Sequence, residues 1–376
     1  VRDVRVEDLL GREPVVLDVG AIRRELHGHT VLVTGGGGSI WRELARQLVG
    51  LKPSRLVLVD RSENNLFHIQ MQLRTLAPDQ DVDYCIADIQ DETRMREVLE
   101  DCRPRVIYHA AAYKHVPMME FNPLEAVGNN VFGTRQMAML AQEAGVSKFV
   151  LISTDKAVNP RSIMGKTKRV AELIIQARNG GATCFLSVRF GNVLGSDGSV
   201  VPIFRRQIES GGPVTVTHAE ATRYFMTIPE AVQLVMQAGT MGLGGEIFML
   251  DMGEPVRIVD LARNLIELSG LRPNVEIDIL FTGLRPGEKL HEELSLKGEQ
   301  TCPTTHDKIV ALAGNPVDPN ALSGHIDRLK VAWRERDAQA ATRMLSSIAD
   351  TFEPSLDAAV DNLSSFDSQR RRRASK

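Results

Sequence analysis

The chain has 376 residues, 43% hydrophobic and 25% charged, and a net charge of −3; this is ordinary globular composition with enough length for a large core, and it argues against a general nucleic-acid footprint. Four cysteines (Cys85, Cys102, Cys184, Cys302) lack paired spacing, which excludes a recognisable disulfide framework or metal motif and fits reduced thiols in the cytoplasm. No apolar run approaches the roughly 18 residues of a membrane span, and the charged N-terminus does not read as a signal peptide. Residues 1–28 read as a lead-in arm, with Val15 to Leu17 as a candidate short strand. An apolar strand over 29–34 runs into four glycines, Gly35 to Gly38, and a helix is predicted from Ser39 to Val49, with Ile40, Leu44 and Leu48 on one face and Gly50 as its stop. Further strands are predicted at 55–60, 83–88, 105–109 and 149–152, separated by helices over 63–75, 91–101 and 123–143. Such alternation predicts an α/β fold, a parallel sheet covered on both faces. Later strands are expected at 183–189, 214–216 and 246–251. From about residue 317 the pattern is mainly helical, with Asp318-Pro319-Asn320 as a helix start. The run Arg370 to Arg373 reads as a solvated tail, with contact to anionic lipid or RNA as the competing reading.

The glycine-rich turn lies between a strand and a helix, and Asp60 ends the next strand. Glycines let the backbone approach a pyrophosphate, and a helix N-terminus offers free N–H groups. That context predicts a dinucleotide site. Asp60 is expected to accept from the adenosine ribose hydroxyls, which favours NAD over NADP; Arg61 beside it offers a 2′-phosphate contact as the alternative. Where the pattern Gly-x-x-Gly-x-x-Gly expects its third glycine, Trp41 stands, in phase with Leu44 and Leu48. An indole there must displace the helix, tilt into the cleft or fill a local void.

Residues 153–168 are the most informative block. Asp155 and Lys156 follow an apolar strand, and ligands bind at strand C-terminal ends in open α/β sheets. Met164 and Lys168 follow at i, i+4 and share a helix face. The arrangement reads as catalytic; a solvated loop of charges is the bland alternative.

Together these segments resemble the extended short-chain dehydrogenase/reductases, most closely the nucleotide-sugar 4,6-dehydratases of the polysaccharide-biosynthesis (CapD-like) group. The resemblance rests on Val6 to Arg12, 34–40, Asp60 to Glu63, Ala87 to Ile89, His109 to Pro117, Asn129 to Thr134, Ser153 to Lys168, Arg189 to Ser196, Thr222 to Thr227 and Leu284 to Lys289. It implies a Rossmann doubly wound sheet with a smaller C-terminal substrate lobe. The domain would span 29–316, with NAD bound mainly by 29–190 and substrate by segments of 191–316, followed by a helical extension over 317–376 with a basic, disordered tail. Cofactor contacts would come from Thr34, Gly35, Gly37, Gly38, Ser39 and Ile40, from Asp60, Arg61 and Ser62, and from Asp88, Ile89, Ala110, Ala111, Ala112 and Lys168.

The implied reaction converts UDP-N-acetylglucosamine to a UDP-4-keto-6-deoxy-N-acetylhexosamine, with or without inversion at C5. By resemblance Asp155 is the acid at C6 and Lys156 the base at C5. Lys168 is the nicotinamide-ribose anchor and a source of positive field. Superfamily members usually carry Tyr at Met164, as the base for the C4 hydroxyl; a thioether cannot take that proton, and Met164 matches a branch of the group that lacks the Tyr. Asp155, directly or through water, is the candidate for that task. Thr154 is a candidate partner for the C4 oxygen, with a structural cap as the competing view. Lys114, after the fourth strand, is a candidate substrate contact facing the cleft, with a surface lysine as the competing reading; Asn192, Arg223, Arg285 and Glu288 match positions expected around UDP, and guanidinium groups suit a diphosphate. By resemblance Asn130 is expected to order the catalytic helix, with a buried structural amide as the competing view, and His109 and His115 are expected to be structural. The implied partner is a UDP-sugar, with no nucleic acid, no membrane insertion and a homo-oligomeric assembly. The competing readings are a UDP-sugar 4-epimerase and a protein that binds NAD and UDP-sugar with impaired turnover.

Overall fold

A computed structural model describes residues 15, 17–35, 38–297, 299–313 and 317–352. Val6 to Arg12, Val16, Gly36, Gly37 and the Arg370–Arg373 run lie outside the described residues. The apolar segments form β1 (Thr30–Thr34), β2 (Arg55–Asp60), β3 (Val82–Ile86), β4 (Val106–His109), β5 (Lys148–Ile152) and β6 (Cys184–Arg189). With the strand Ile247–Leu250 they make a parallel sheet whose spatial order runs β3, β2, β1, β4, β5, β6, Ile247–Leu250. This is the Rossmann order, with its reversal between β1 and β4. Two antiparallel strands, Ile309–Ala313 and Gln300–Pro303, extend the far edge. Val31, Leu32 and Val33 are all fully buried, as a central strand covered on both faces requires.

On one face lie α1 (Val19–Leu26), α2 (Ser39–Gly50), α3 (Glu63–Leu76) and a helix over Ile228–Met241; on the other lie α4 (Glu92–Cys102), α7 (Thr134–Glu143) and α8 (Ile163–Ala177). Helix α1 was not foreseen. Val15 and Leu17 form no strand; Asp18 instead caps a helix by accepting from the Ala21 N–H at 2.8 Å, and Ile22 and Leu26 enter the core. Helix α2 runs through Gly50 instead of stopping before it. The helix expected over 123–143 is divided into α6 (Pro123–Ala126), a π-helical segment Val127–Gly133, and α7. The π segment carries the buried Asn129 and Asn130, and such local widening often accompanies functional sites.

The smaller lobe packs the helices Val200–Glu209 and Ile258–Leu268 around paired strands Val214–Val216 and Ile279–Phe281. Beyond the sheet, α12 (Pro319–Arg334) and α13 (Ala338–Thr351) bury Leu322, Ile326, Leu329, Leu345 and Ile348 against Ile163, Val170 and Ile174 of α8. Among the described residues, no helix is long and apolar enough to cross a membrane.

Candidate active site

One cleft of about 980 Å³ runs along the C-terminal ends of the strands. That is the upper end of the roughly 300–1,000 Å³ typical of small-molecule sites.

At its β1 end, Gly35 has φ +104°, and a Cβ there would stand 2.1 Å from the Ala111 nitrogen. Only glycine lets this turn pack against 110–111. Gly38 caps α2 without a side-chain bond, and Gly38, Ser39 and Ile40 line the cleft, so the helix N-terminus is available to an anion. Thr34 lies beneath the turn, its hydroxyl 2.7 Å from His109 Nδ1; the ring's other nitrogen is 3.2 Å from Thr134 Oγ1. Burial, with the Lys168 charge adding, pushes His109 down to about 3, so its ring is a neutral brace between β1 and α7.

Asp60 is buried at the end of β2. Its Oδ1 accepts from the Ser62 N–H at 2.6 Å, while Oδ2 is buried with no hydrogen-bond partner. Burial pushes this carboxyl up, against the pull of the Ser62 N–H, Asn65 and Arg61. An unpartnered buried acceptor is costly, and a ribose diol would satisfy it. The residues present therefore fit a dinucleotide. Arg61 also lines the cleft, its guanidinium 4.9 Å over the Tyr113 ring and 4.0 Å from Asp88. Ser62 caps α3. Asp88, Ile89, Ala110, Ala111 and Ala112 line the same stretch.

Trp41 also borders the cleft, yet its side chain is only 1% exposed and belongs to the core with Leu44 and Leu48; Nε1 has no partner. The conflict is thus met by filling the core. Trp41→Gly should open a cavity, and truncating a buried Trp costs about 3–5 kcal/mol, with about 1 kcal/mol more for glycine in a helix. Denaturant unfolding measures it; a loss below about 1 kcal/mol would show that the indole contributes little packing.

At the other end, β5 delivers Thr154, Asp155 and Lys156. Thr154 and Lys156 line the cleft. Asp155 is fully buried: Oδ1 accepts from the Thr154 hydroxyl at 2.8 Å and from Lys156 Nζ at 3.0 Å, and Oδ2 is buried without a partner. Asp155 itself does not line the cleft, and its hydrogen-bonded links to it are Thr154 and Lys156. Lys156 Nζ also donates to Asn192 Oδ1 at 2.9 Å, so Asn192, read from sequence as a UDP contact, stands against the lysine. Gly165 fixes α8 against this turn, since a Cβ would lie 2.3 Å from the Lys156 carbonyl oxygen. Met164 and Lys168 are buried on that helix and border the cleft. Lys168 Nζ donates to the Ile152 carbonyl at 2.6 Å, and burial pushes its ammonium down to about 8. Asn130 donates to Thr167 Oγ1 at 3.0 Å and accepts from the Tyr113 N–H at 2.8 Å, tying α8 to the π segment.

Arg223, Glu288 and Arg285 form an ion-pair chain, with Arg223 3.0 Å and Arg285 3.4 Å from the Glu288 carboxylate. Lys114 Nζ donates to the Asp197 carbonyl at 2.9 Å, and Asp197 pairs with Arg42, so loop 194–199 reaches across to α2. All three chain members and Lys114 line the cleft.

Sequence reasoning missed Glu292 and a buried network behind the site. Glu172 accepts from Ser153 (2.6 Å), from both Arg189 Nε and Nη2 (2.7 Å each) and from Arg169 (3.3 Å), and Arg189 also reaches Glu299 at 2.7 Å. The only available signal was charge within apolar strand and helix patterns.

Comparison with known proteins agrees with this architecture. The model of a family described as polysaccharide biosynthesis protein matches residues 31–313. The capsular polysaccharide biosynthesis protein CapD of Staphylococcus aureus is 55% identical over 312 residues, 82% of this chain but 52% of that protein, so the chain spans about half its length. A UDP-N-acetylglucosamine 4,6-dehydratase (inverting) of Campylobacter jejuni is 34% identical, over 71% of this chain and 77% of its own. The X-ray structure of Pen from Bacillus thuringiensis aligns with a TM-score of 0.70 at 34% identity, covering 77% of this chain and 90% of that one. On its Rossmann sheet and these matches, the chain belongs to the polysaccharide biosynthesis protein family of extended short-chain dehydrogenase/reductases.

Proposed function

We propose that the chain is a UDP-N-acetylglucosamine 4,6-dehydratase that uses NAD. The observation that carries this reading is the linked Thr154–Asp155–Lys156 chain opening on the cleft. Epimerisation at C4 needs no base at C5; elimination of water does. The activity of the Campylobacter relative supports the same reaction.

A bound nicotinamide dinucleotide would supply reversible two-electron chemistry, first at C4 and then at C6. The proton transfers fall to the chain. Thr154 meets the C4 hydroxyl and passes its proton to Asp155, the task that the Met164 thioether cannot perform. The C4 ketone acidifies C5, and Lys156, in its neutral form, removes that proton. Asp155 returns its proton through Thr154 to the C6 hydroxyl, which leaves as water. Lys156 then protonates C5, and the face of return decides retention or inversion. Each proton taken is given back, so the net change is the loss of one water. Lys168 would hold the nicotinamide ribose, and Arg223 and Arg285 the diphosphate.

The test is incubation with UDP-N-acetylglucosamine and either dinucleotide. A product lighter by one water is expected with NAD, whose ribose hydroxyls suit the open Oδ2 of Asp60, and not with NADP, whose phosphate Asp60 repels. A mass-neutral isomer would make the chain an epimerase, unchanged substrate would refute turnover, and equal rates with NADP would overturn the role of Asp60.

A further inference from the structure

Residues 285–293 form no regular element, yet they tie the catalytic turn to the arginine side of the cleft. Arg223 holds their backbone: it donates to the Lys289 carbonyl at 2.8 Å and to the Leu290 carbonyl at 3.1 Å, besides pairing with Glu288. The Lys289 side chain reaches the other way. It is buried, and its Nζ donates to the Val158 carbonyl at 2.8 Å and to Glu293 Oε1 at 3.2 Å. The second carboxylate oxygen of Glu293 accepts from Asn159 Nδ2 at 2.6 Å. Val158 and Asn159 are the exit of the turn that carries Thr154, Asp155 and Lys156. Within that turn the Ala157 N–H donates to the Thr154 carbonyl at 3.1 Å and the Val158 N–H to the Asp155 carbonyl at 3.0 Å. The chain then passes through Asn159 at φ +40°, left-handed backbone that a residue with a side chain seldom adopts. Such a conformation persists where its surroundings hold it. A buried ammonium is costly unless its protons are accepted, and this one is directed at the two residues that end the turn.

We infer that Lys289 is a positioning residue for the reaction: with Glu293 it clamps the exit of the catalytic turn, and so fixes Asp155 and Lys156 relative to the arginines assigned to the diphosphate. The inference rests on the dehydratase reading for the chemistry that the turn performs. A reacting group displaced by about 1 Å can cost a hundredfold in rate while remote binding is untouched.

Lys289→Met keeps most of the apolar stem and removes the ammonium. It should lower kcat about 10- to 100-fold and leave KM and the affinity for UDP within about threefold of wild type. Amide hydrogen exchange reads the clamp with no substrate present: the Ala157 and Val158 amides should exchange about tenfold faster or more, while those of β6 stay protected. Glu293→Ala, at a half-exposed position, removes the partner of Asn159 and one of the two acceptors of Lys289. It should move both readouts the same way, by about three- to tenfold. A lysine with a merely structural role would lower the urea midpoint and leave the kcat of the folded enzyme unchanged. An unchanged kcat therefore overturns the inference, whether or not the two amides speed up. So does a raised KM at unchanged kcat, which would make Lys289 a substrate contact, since it borders the cleft.

If Lys289→Met does not fold, Glu293→Ala decides by the same two readouts. If the wild type forms no water-loss product, the dehydratase reading falls, and amide exchange alone decides the role of Lys289. Faster exchange at Ala157 and Val158 with β6 unchanged supports the clamp; no change, or a rise that β6 shares, refutes it.

Discussion

Asp155→Asn and Lys156→Ala should each lower turnover of UDP-N-acetylglucosamine by about 100-fold or more, the ordinary scale of a lost general acid or base, while binding of the UDP moiety persists. The Asn variant keeps the shape of Asp155 but can neither accept nor return a proton, so the Thr154 hydroxyl loses its proton store. The Ala variant removes the amine at C5 and leaves Asn192 and Glu292 without their shared partner. Thr154→Val separates two routes for the proton. Because Asp155 is fully enclosed, loss of the hydroxyl should be nearly as damaging as loss of the carboxylate. A Val variant near the wild-type rate would mean that Asp155 swings out to meet the sugar. If either Asp155→Asn or Lys156→Ala stays near the wild-type rate, the role given to that residue is wrong. Single-turnover rates and UDP titrations on the same samples separate binding from chemistry.

Arg189→Met should lower stability by about 3–5 kcal/mol, because removing one partner of a buried ion pair leaves the other uncompensated. Here two carboxylates, Glu172 and Glu299, each at most 2% exposed, lose their Arg189 partner at once. Burial opposes the charge on Glu172, yet Arg189, Arg169 and the Ser153 hydroxyl together hold its carboxyl below the ordinary glutamate value. A depressed carboxyl contributes stability that is fully present above the unfolded value, about 4.3, and is lost as pH falls through the folded one. The wild type should therefore lose stability on acidification through that window, and Arg189→Met should lose less of it there. Urea unfolding at neutral and acidic pH measures both effects; a neutral-pH loss under about 1 kcal/mol would show that the network is dispensable.

The parts of the site legible in the sequence are those written in short, regular segments. The apolar run into Gly35 and the acid at Asp60 carried the nucleotide half, and the strand before Asp155 carried the catalytic turn. Met164 and Lys168 were placed on one helix face by spacing alone. Glu292 escaped because it lies in an irregular segment far along the chain, and nothing in its neighbours signals the approach to Lys156. The lobe strands Asn192–Val193 and Thr222–Arg223 are two residues long, too short for alternation to register. The π segment was read as plain helix because its polar residues fall within an apolar pattern; their burial depends on Tyr113 and Thr167, which are remote in sequence. Trp41 was legible as a conflict but not as its resolution, since a core's capacity to absorb an indole is a property of packing in three dimensions.

The outer side of α8 is occupied by the chain's own last two described helices. Trp333 of α12 donates to the Leu124 carbonyl at 3.0 Å, Ser346 of α13 accepts from Lys166 at 2.8 Å, and the Phe352 carbonyl accepts from Arg169 at 3.0 Å. The helix that bears Met164 and Lys168 is therefore sealed from within. A second copy of the chain can meet that face only by displacing α12 and α13, so any contact between copies has to be made elsewhere on the molecule.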